Sequence, residues 1–148
     1  MEQPDYRTNE PDTTINLRGV EQVESDAPPA RLSGDEAAAV QALPATSALL
    51  ILHHGPSAGA RFLLDADTTV SGRSTSSDIF LDDVTVSRRH AEFVREGTSF
   101  TVRDVGSLNG TYVNRERIES HLLRTGDEVQ IGKFRMVFYP SPAREAAG

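Results

Sequence analysis

Three short polar motifs in the middle of the chain carry the residue types that bind a phosphate ester. They are Gly72-Arg73, Ser87-Arg88-Arg89-His90 and Ser107-Leu108-Asn109-Gly110-Thr111. Arginine gives forked, charge-assisted hydrogen bonds to phosphate oxygens, and serine adds a short neutral donor. An asparagine on a neighbouring loop can pair with the backbone of a bound peptide. We therefore expect a phosphate-binding surface wherever the loops that carry these motifs meet.

Each motif taken alone has an ordinary explanation. An exposed loop arginine such as Arg73 is usually a solubilising charge, and the run from Ser87 to His90 fits a basic turn or a kinase substrate equally well. Asn109-Gly110 is a strong signal for a tight turn whatever its function. The combination favours a binding site, because arginine, serine and asparagine on three separate loops can surround one phosphate dianion.

Short apolar runs separated by turns follow Ser47 and must position these motifs. The alternation in Ala91-Glu92-Phe93-Val94 and in Phe100-Thr101-Val102-Arg103 is typical of half-buried strands, and Glu96-Gly97-Thr98 predicts a hairpin turn between them. We expect about ten such strands in an all-β sandwich or barrel. They are predicted at residues 49–52, 61–64, 68–70, 79–81, 91–94, 100–103, 112–113, 122–123, 129–131 and 134–138.

The first third of the chain has a different composition. Residues 1–44 hold nine Asp/Glu and three Arg, so they carry most of the net charge of −7. They are poor in large apolar side chains and cannot bury enough surface to offset the entropy lost on ordering. We therefore expect a disordered acidic tail over residues 1–46, a folded domain over 47–140 and a disordered C-terminus over 141–148.

Two local features stand out in this tail. Thr13 and Thr14 follow acidic residues, and Leu17 lies three places after Thr14, so a phosphorylated Thr14 and Leu17 could fill two adjacent pockets. The same threonines fit ordinary solvated linker residues equally well. Separately, Ser33 and Glu36 predict the capped start of a short helix, which would be marginal by itself.

The overall composition narrows the classes of function. An acidic chain is a poor general nucleic-acid binder, and the absence of cysteine excludes disulfides, thiol catalysis and thiolate metal sites. The sequence has neither a signal peptide nor an apolar run of about 20 residues, so we expect a cytoplasmic monomer without a membrane partner. His53-His54 and Asp82-Asp83 fit solvated positions, and no catalytic pair stands out. We therefore expect no enzyme activity, metal or cofactor.

The three motifs resemble those of forkhead-associated (FHA) domains in their order and spacing, over about residues 47–139. The resemblance implies an FHA-type β-sandwich of about eleven strands that binds phosphothreonine peptides. By position it implies that Arg73 and Ser87 are the main phosphate contacts, and that Arg88 is a further one. It implies that Asn109 contacts the backbone of the peptide.

The same resemblance implies that Gly72, His90 and Gly110 support the binding loops. Many family members have threonine or serine directly before the asparagine, where this chain has Leu108. A phosphate contact from that position is therefore open, and Ser107 is a candidate to supply a hydroxyl from one residue earlier.

Longer runs around these motifs are similar to one actinobacterial group of FHA regulators, the glycogen accumulation regulators and oxoglutarate dehydrogenase inhibitors. The runs are Asp78 to Phe93, Asp104 to Arg115 and Gly126 to Phe134. The resemblance implies that the unphosphorylated protein binds and inhibits 2-oxoglutarate dehydrogenase and related enzymes of glutamate metabolism. A Ser/Thr protein kinase would then modify Thr14 or Thr13, and the protein's own phosphorylated tail would occupy its FHA site. The alternative is a phosphothreonine-dependent adaptor whose tail is passive.

Overall fold

The computed structural model describes residues 32–54 and 57–144, with the backbone only of His54. Thr13, Thr14 and residues 145–148 lie outside the described residues. Within the described part, eleven strands form a six-stranded sheet in the order β2-β1-β11-β10-β7-β8 and a five-stranded sheet in the order β4-β3-β5-β6-β9. The strands are β1 Ala48–His54, β2 Arg61–Leu64, β3 Thr68–Gly72, β4 Ile79–Phe80, β5 Ala91–Glu96, β6 Ser99–Asp104, β7 Thr111–Val113, β8 Glu116–Ile118, β9 Ser120–Leu122, β10 Glu128–Ile131 and β11 Phe134–Pro140. The predicted all-β sandwich of about eleven strands is confirmed.

The main core lies between the two sheets. Alternate residues of β5 and β6 point into it, including Phe93, Phe100 and Val102, which are all at most 2% exposed. Phe100 meets Phe138 of the other sheet edge-on, with ring centroids 5.8 Å apart. Each fully buried side chain of this size contributes about 1.5–3 kcal/mol, so the sheets hold the loops at their ends in fixed positions.

A second apolar cluster covers the outer face of the six-stranded sheet. Helix α1, Gly34–Gln41, begins with the predicted capping box, in which Ser33 and Glu36 each bond the other's backbone N–H. Val40 of this helix packs on Leu49 and Ile51 of β1. Strand β1 is therefore apolar on both faces, which explains its unbroken hydrophobic run. The packing extends the folded part of the chain back into the segment that we assigned to the tail.

One connection differs from the sequence prediction, and another joins the two sheets. Strand β8 was not predicted, and it pairs with β7 through a two-residue turn at Asn114 and Arg115, which both have positive φ. Arginine gives no sequence signal for that backbone conformation. The tight turn predicted at Asn109-Gly110 is a bend between strands that are not neighbours, because β6 and β7 on either side belong to different sheets. This bend carries the chain from one sheet to the other.

No helix in the described ranges is long and apolar enough to cross a membrane.

Candidate functional site

The three predicted motifs meet at one end of the sandwich. The backbone N–H groups of Arg73 and Ser74 donate to the carbonyl oxygens of Ser87 and Arg88, at 2.9 and 3.2 Å. The backbone N–H of Leu108 donates to the Ser87 hydroxyl oxygen at 3.0 Å. Loops 73–78, 81–90 and 105–110 are therefore in direct contact, with Ser87 at the point where they meet.

Gly72 allows the first two loops to approach this closely. A Cβ atom at this position would lie 2.1 Å from the carbonyl oxygen of Arg88. That distance is far inside van der Waals contact, and the obstructing atom is backbone, which cannot move aside without shifting the loop. The geometry supports the structural role that the resemblance implied for Gly72.

The side chain of His90 connects the second and third loops. Its side chain is completely buried, and its Nδ1 accepts a hydrogen bond from the backbone N–H of Ser87 at 3.0 Å. Because Nδ1 is an acceptor, the proton of the neutral ring is on Nε2, which donates to the carbonyl oxygen of Gly110 at 2.8 Å. The imidazole therefore sets the spacing between Ser87 and the Asn109-Gly110 bend.

Asp104 organises the third loop. Its carboxylate accepts hydrogen bonds from the backbone of Gly106 and Ser107 and from the hydroxyls of Ser107 and Thr111. Burial by itself would raise the pKa of Asp104, but the hydrogen bonds from Ser107, Thr111 and Gly106 outweigh it and lower the pKa. The carboxylate is therefore ionised at neutral pH and acts as the hub of the loop.

This network changes the interpretation of Ser107. Its hydroxyl donates to Asp104 and accepts the backbone N–H of Gly110 at 2.9 Å, and the residue is only 9% exposed. A hydroxyl whose proton is already directed into the loop does not fit the direct phosphate contact that we considered for it. Ser107 instead fixes the bend that carries Asn109.

Asn109 is held by a group of residues that the sequence analysis missed. Its side-chain nitrogen donates to the carbonyl oxygen of Thr85 at 3.0 Å. The Thr85 hydroxyl donates to Asp83 and accepts the backbone N–H of Lys133, whose ammonium lies 3.0 Å from Asp83. The hydrogen bonds from the Thr85 side chain and backbone lower the pKa of Asp83 from 3.8 to about 2, with Lys133 adding to the effect. The Asp-x-Thr spacing of a local side-chain turn was the available signal.

Two arginines at the site have guanidinium nitrogens that are available to bind a ligand. Arg73 is exposed, and among the described residues only its Nε is hydrogen-bonded, donating to the carbonyl oxygen of Val86 at 3.0 Å. Arg88 is exposed and makes no side-chain hydrogen bond or ion pair within the described ranges. Together with the Ser87 hydroxyl they supply two positive charges and several donors at the convergence of the loops. That combination suits a doubly charged phosphate ester.

A groove continues from this point toward the β10–β11 turn. Its volume is about 480 Å³, and its lining mixes polar and apolar atoms, so it can take an extended peptide segment. Gly132 allows the β10–β11 turn to pack closely against the loop that carries Thr85, because a Cβ there would lie 2.4 Å from the Thr85 hydroxyl oxygen. The lining residues are Thr85, Asn109, Gly110, Tyr112, Gln130, Gly132 and Lys133.

Other polar clusters have structural partners. His53 Nε2 lies 3.4 Å from the Tyr139 hydroxyl, and Asp83 is used by Thr85 and Lys133. No group of three or more His, Asp or Glu side chains within residues 32–54 and 57–144 could hold a metal ion.

Comparisons with known proteins agree with this geometry. Residues 69–132 match the family model of the FHA domain. The glycogen accumulation regulator GarA of Mycolicibacterium smegmatis is 60% identical over 125 residues, which cover 84% of this chain and 79% of that protein. The oxoglutarate dehydrogenase inhibitor of Corynebacterium efficiens is 70% identical over 102 residues, covering 68% of this chain and 71% of that protein.

Solved structures are similar as well. One comes from a structural and functional analysis of phosphothreonine-dependent FHA domain interactions. It has a TM-score of 0.61 at 31% identity and covers 66% of this chain and 99% of that chain. Another is Mycobacterium tuberculosis EmbR in complex with a low-affinity phosphopeptide, with a TM-score of 0.61 at 33% identity, covering 73% of this chain and 29% of that one.

Proposed function

Because the chain belongs to the FHA-domain family of phosphothreonine-binding regulators, we propose that it is an inhibitor protein switched by phosphorylation of its own tail. The unphosphorylated form binds and inhibits 2-oxoglutarate dehydrogenase and related enzymes of glutamate metabolism. Phosphorylation of Thr14, or of Thr13, places the tail on the FHA site and releases the enzymes. The role is one of binding rather than catalysis, in the cytoplasm where the proposed targets act.

The convergence of Arg73, Ser87 and Asn109 is the observation that carries this proposal. Arg73 and Ser87 bind the phosphate, Arg88 adds a further positive charge, and Asn109 bonds the peptide backbone. Hydrogen bonds to charged groups contribute about 1.5–3 kcal/mol each, so two or three of them discriminate strongly between phosphorylated and unphosphorylated threonine. The unmodified tail brings no charge to the arginines and leaves the site open.

The tail is well placed to act as an intramolecular ligand. The chain between Leu17 and the packed segment that begins at Leu32 is about 15 residues long, and it would span about 20 Å as a flexible coil. A tethered ligand of this kind has an effective concentration of about 1 mM, so a modest intrinsic affinity suffices to occupy the site. With Thr14 at the phosphate contacts, Leu17 reaches the groove between Asn109 and Lys133.

The proposed target follows from the names of the relatives. Three relatives called oxoglutarate dehydrogenase inhibitor are 66–70% identical to this chain over about 100 residues, and a fourth is 54% identical over 141 residues. Because the proposed docking of the phosphorylated tail on the FHA face releases the target, we place target binding on or beside that face. The phosphorylated tail and the enzyme then compete for overlapping surface.

The test compares the protein before and after treatment with a Ser/Thr protein kinase. We expect untreated protein to inhibit 2-oxoglutarate dehydrogenase and the treated protein to lose inhibition, with NMR shifts at Arg73, Ser87 and Asn109. The shifts and the loss should both disappear in Thr14→Ala if Thr14 is the acceptor. Inhibition that persists in the phosphorylated protein would contradict the switch.

A matched pair of variants tests the site itself. Arg73→Ala should weaken binding of a Thr14-phosphorylated peptide by at least tenfold, since it removes a charge-assisted contact. Arg61→Ala removes an equally exposed arginine from β2 and should leave the affinity unchanged. If kinase-treated protein still binds added phosphopeptide as well as before, the tail is passive and the protein is an adaptor.

A further inference from the structure

A second polar pocket lies beside the phosphate contacts. It has a volume of about 300 Å³ and shares no lining residue with the groove between Asn109 and Lys133. Its walls are the 73–78 loop on one side and the first residues after Ser87 on the other. The lining residues are Val70, Ser74, Ser76, Ser77, Asp78, Arg88 and Arg89.

The charges around this pocket favour an anion. Arg88 has no side-chain partner within the part of the chain that the structure describes. Arg89 pairs with Glu92, but Glu92 is also bound by Arg103, so those three side chains keep a net charge of +1. Asp78 is the one carboxylate in the lining. The pocket and its immediate neighbours are therefore net positive.

The remaining lining is rich in hydroxyl groups. The Ser74 and Ser76 hydroxyl oxygens lie 2.8 Å apart, and the backbone N–H of Ser76 donates to Ser74 Oγ at 3.2 Å. One carboxylate oxygen of Asp78 accepts a hydrogen bond from the backbone N–H of Val70 at 2.9 Å. This bond holds the carboxylate at the wall of the pocket. Serine hydroxyls rotate to donate, so they can complete the hydrogen bonding of a carboxylate that Arg88 attracts.

The pocket is one residue away from the phosphate contacts on both loops. Ser74 follows Arg73, and Arg88 follows Ser87. The backbone N–H of Ser74 donates to the carbonyl oxygen of Arg88 at 3.2 Å. An extended peptide advances about 3.3 Å per residue, so its second residue from the phosphothreonine lies about 7 Å away. With Leu17 in the groove on the Asn109 side, as the proposed function has it, the residues before the phosphothreonine lead toward this pocket.

We propose that the Ser74–Arg88 pocket binds an acidic side chain two residues before the phosphothreonine, which in this chain is Asp12 before Thr14. This inference rests on the proposed function and adds a sequence preference to it. The pocket then gives an acidic residue before the phosphothreonine a binding partner on the FHA domain. It also favours Thr14 over Thr13 as the residue that docks.

A double-mutant cycle with the full-length protein tests the contact. The ligands are synthetic peptides of residues 8–20 with phosphorylated Thr14, carrying either Asp12 or Asp12→Asn, and the proteins are wild type and Arg88→Gln. Asp12→Asn should weaken binding to wild type by about threefold to fivefold, the range of a partly exposed ion pair. On Arg88→Gln the two peptides should bind alike. Equal effects of Asp12→Asn on both proteins would overturn the proposal.

A second variant avoids any change to the phosphate contacts. Ser76→Glu places a carboxylate in the pocket and should weaken the Asp12 peptide several-fold more than the Asp12→Asn peptide. Arg61→Gln, outside the site, should affect neither peptide. If a doubly phosphorylated Thr13/Thr14 peptide gains affinity through Arg88 while Asp12→Asn has no effect, the pocket takes a phosphate and the carboxylate assignment is wrong.

The failure of phosphothreonine binding, the part of the proposed function on which this inference rests, would look different. In that case the phosphorylated peptide would bind no better than the unphosphorylated one, and Arg73→Ala would change nothing. Loss of the Asp12 preference with phosphate-dependent binding intact overturns the pocket assignment alone.

Discussion

His90 Nε2 donates to the carbonyl oxygen of Gly110 at 2.8 Å, and this bond connects two loops that are 20 residues apart in sequence. The other ring nitrogen accepts the backbone N–H of Ser87. One buried imidazole thus satisfies two backbone groups, and it links the loop that carries Ser87 to the loop that carries Asn109.

Replacement of His90 by alanine should therefore impair both folding and binding. It leaves a partly buried N–H and a buried carbonyl without these hydrogen bonds and opens a cavity, so we expect a loss of about 2–4 kcal/mol in the free energy of unfolding. Urea denaturation followed by circular dichroism measures the loss. His121→Ala, at a partly exposed histidine, should cost less than about 0.5 kcal/mol. Equal effects of the two changes would contradict the bridging role.

Two glycine-to-alanine changes compare a glycine in close contact with a neighbouring loop and a glycine with open space around it. Gly72→Ala would push a methyl group against the Arg88 carbonyl, so we expect a destabilisation of more than about 2 kcal/mol and weaker phosphopeptide binding. Gly34→Ala, in the first turn of α1, meets nothing within 4 Å and should be neutral or stabilising by up to about 1 kcal/mol. Thermal unfolding of both variants checks this. A well-tolerated Gly72→Ala would mean that the two loops can separate.

Leu108 offers a gain-of-affinity test. Its side chain is 84% exposed at the edge of the site, and its backbone N–H donates to Ser87 Oγ. Leu108→Thr would place a hydroxyl where many FHA domains have one, and we expect about tenfold tighter binding of the Thr14 phosphopeptide by calorimetry. Val84→Thr changes an equally exposed aliphatic residue on the neighbouring loop and should have no effect. Unchanged affinity in Leu108→Thr would indicate that position 108 points away from the phosphate.

The binding loops should loosen in acid. The pKa values of Asp83, Glu92 and Asp104 are all lowered in the folded protein, that of Asp83 to about 2 by the hydrogen bonds from Thr85. A lowered folded-state pKa means that the stabilisation is complete above the unfolded value of about 4 and is lost as the pH falls below it. Urea midpoints measured from pH 7 to pH 2.5 should be flat at first and then decline.

The matched variant for this test is Asp104→Asn. The substitution removes one of the three titrating groups. The variant protein should therefore be less stable at pH 7, and its urea midpoint should decline less steeply below pH 4. A decline as steep as that of the unaltered protein would show that Asp104 does not contribute to acid sensitivity.

The strands were predictable because their signal is local. Alternation in β5 and β6 reflects one buried and one open face, and the unbroken run in β1 reflects burial on both faces. The cap at Ser33 and Glu36 was equally local and is present. The family motifs also fixed which residues to watch, because arginine, serine and asparagine have few other reasons to recur on three loops.

The sequence by itself thus determined the strand content, the capped helix and the set of residues that could bind phosphate. Only the tertiary structure decided how their hydrogen-bonding groups are used: the Ser107 hydroxyl faces Asp104, and Asn109-Gly110 crosses between sheets instead of closing a hairpin. It also placed Lys133 against Asp83, 50 residues away, and Ser74 against Arg88. The physical reason is that side-chain type and local periodicity are properties of a segment, whereas the partner of a donor or acceptor depends on which distant segment the packed sheets bring to it.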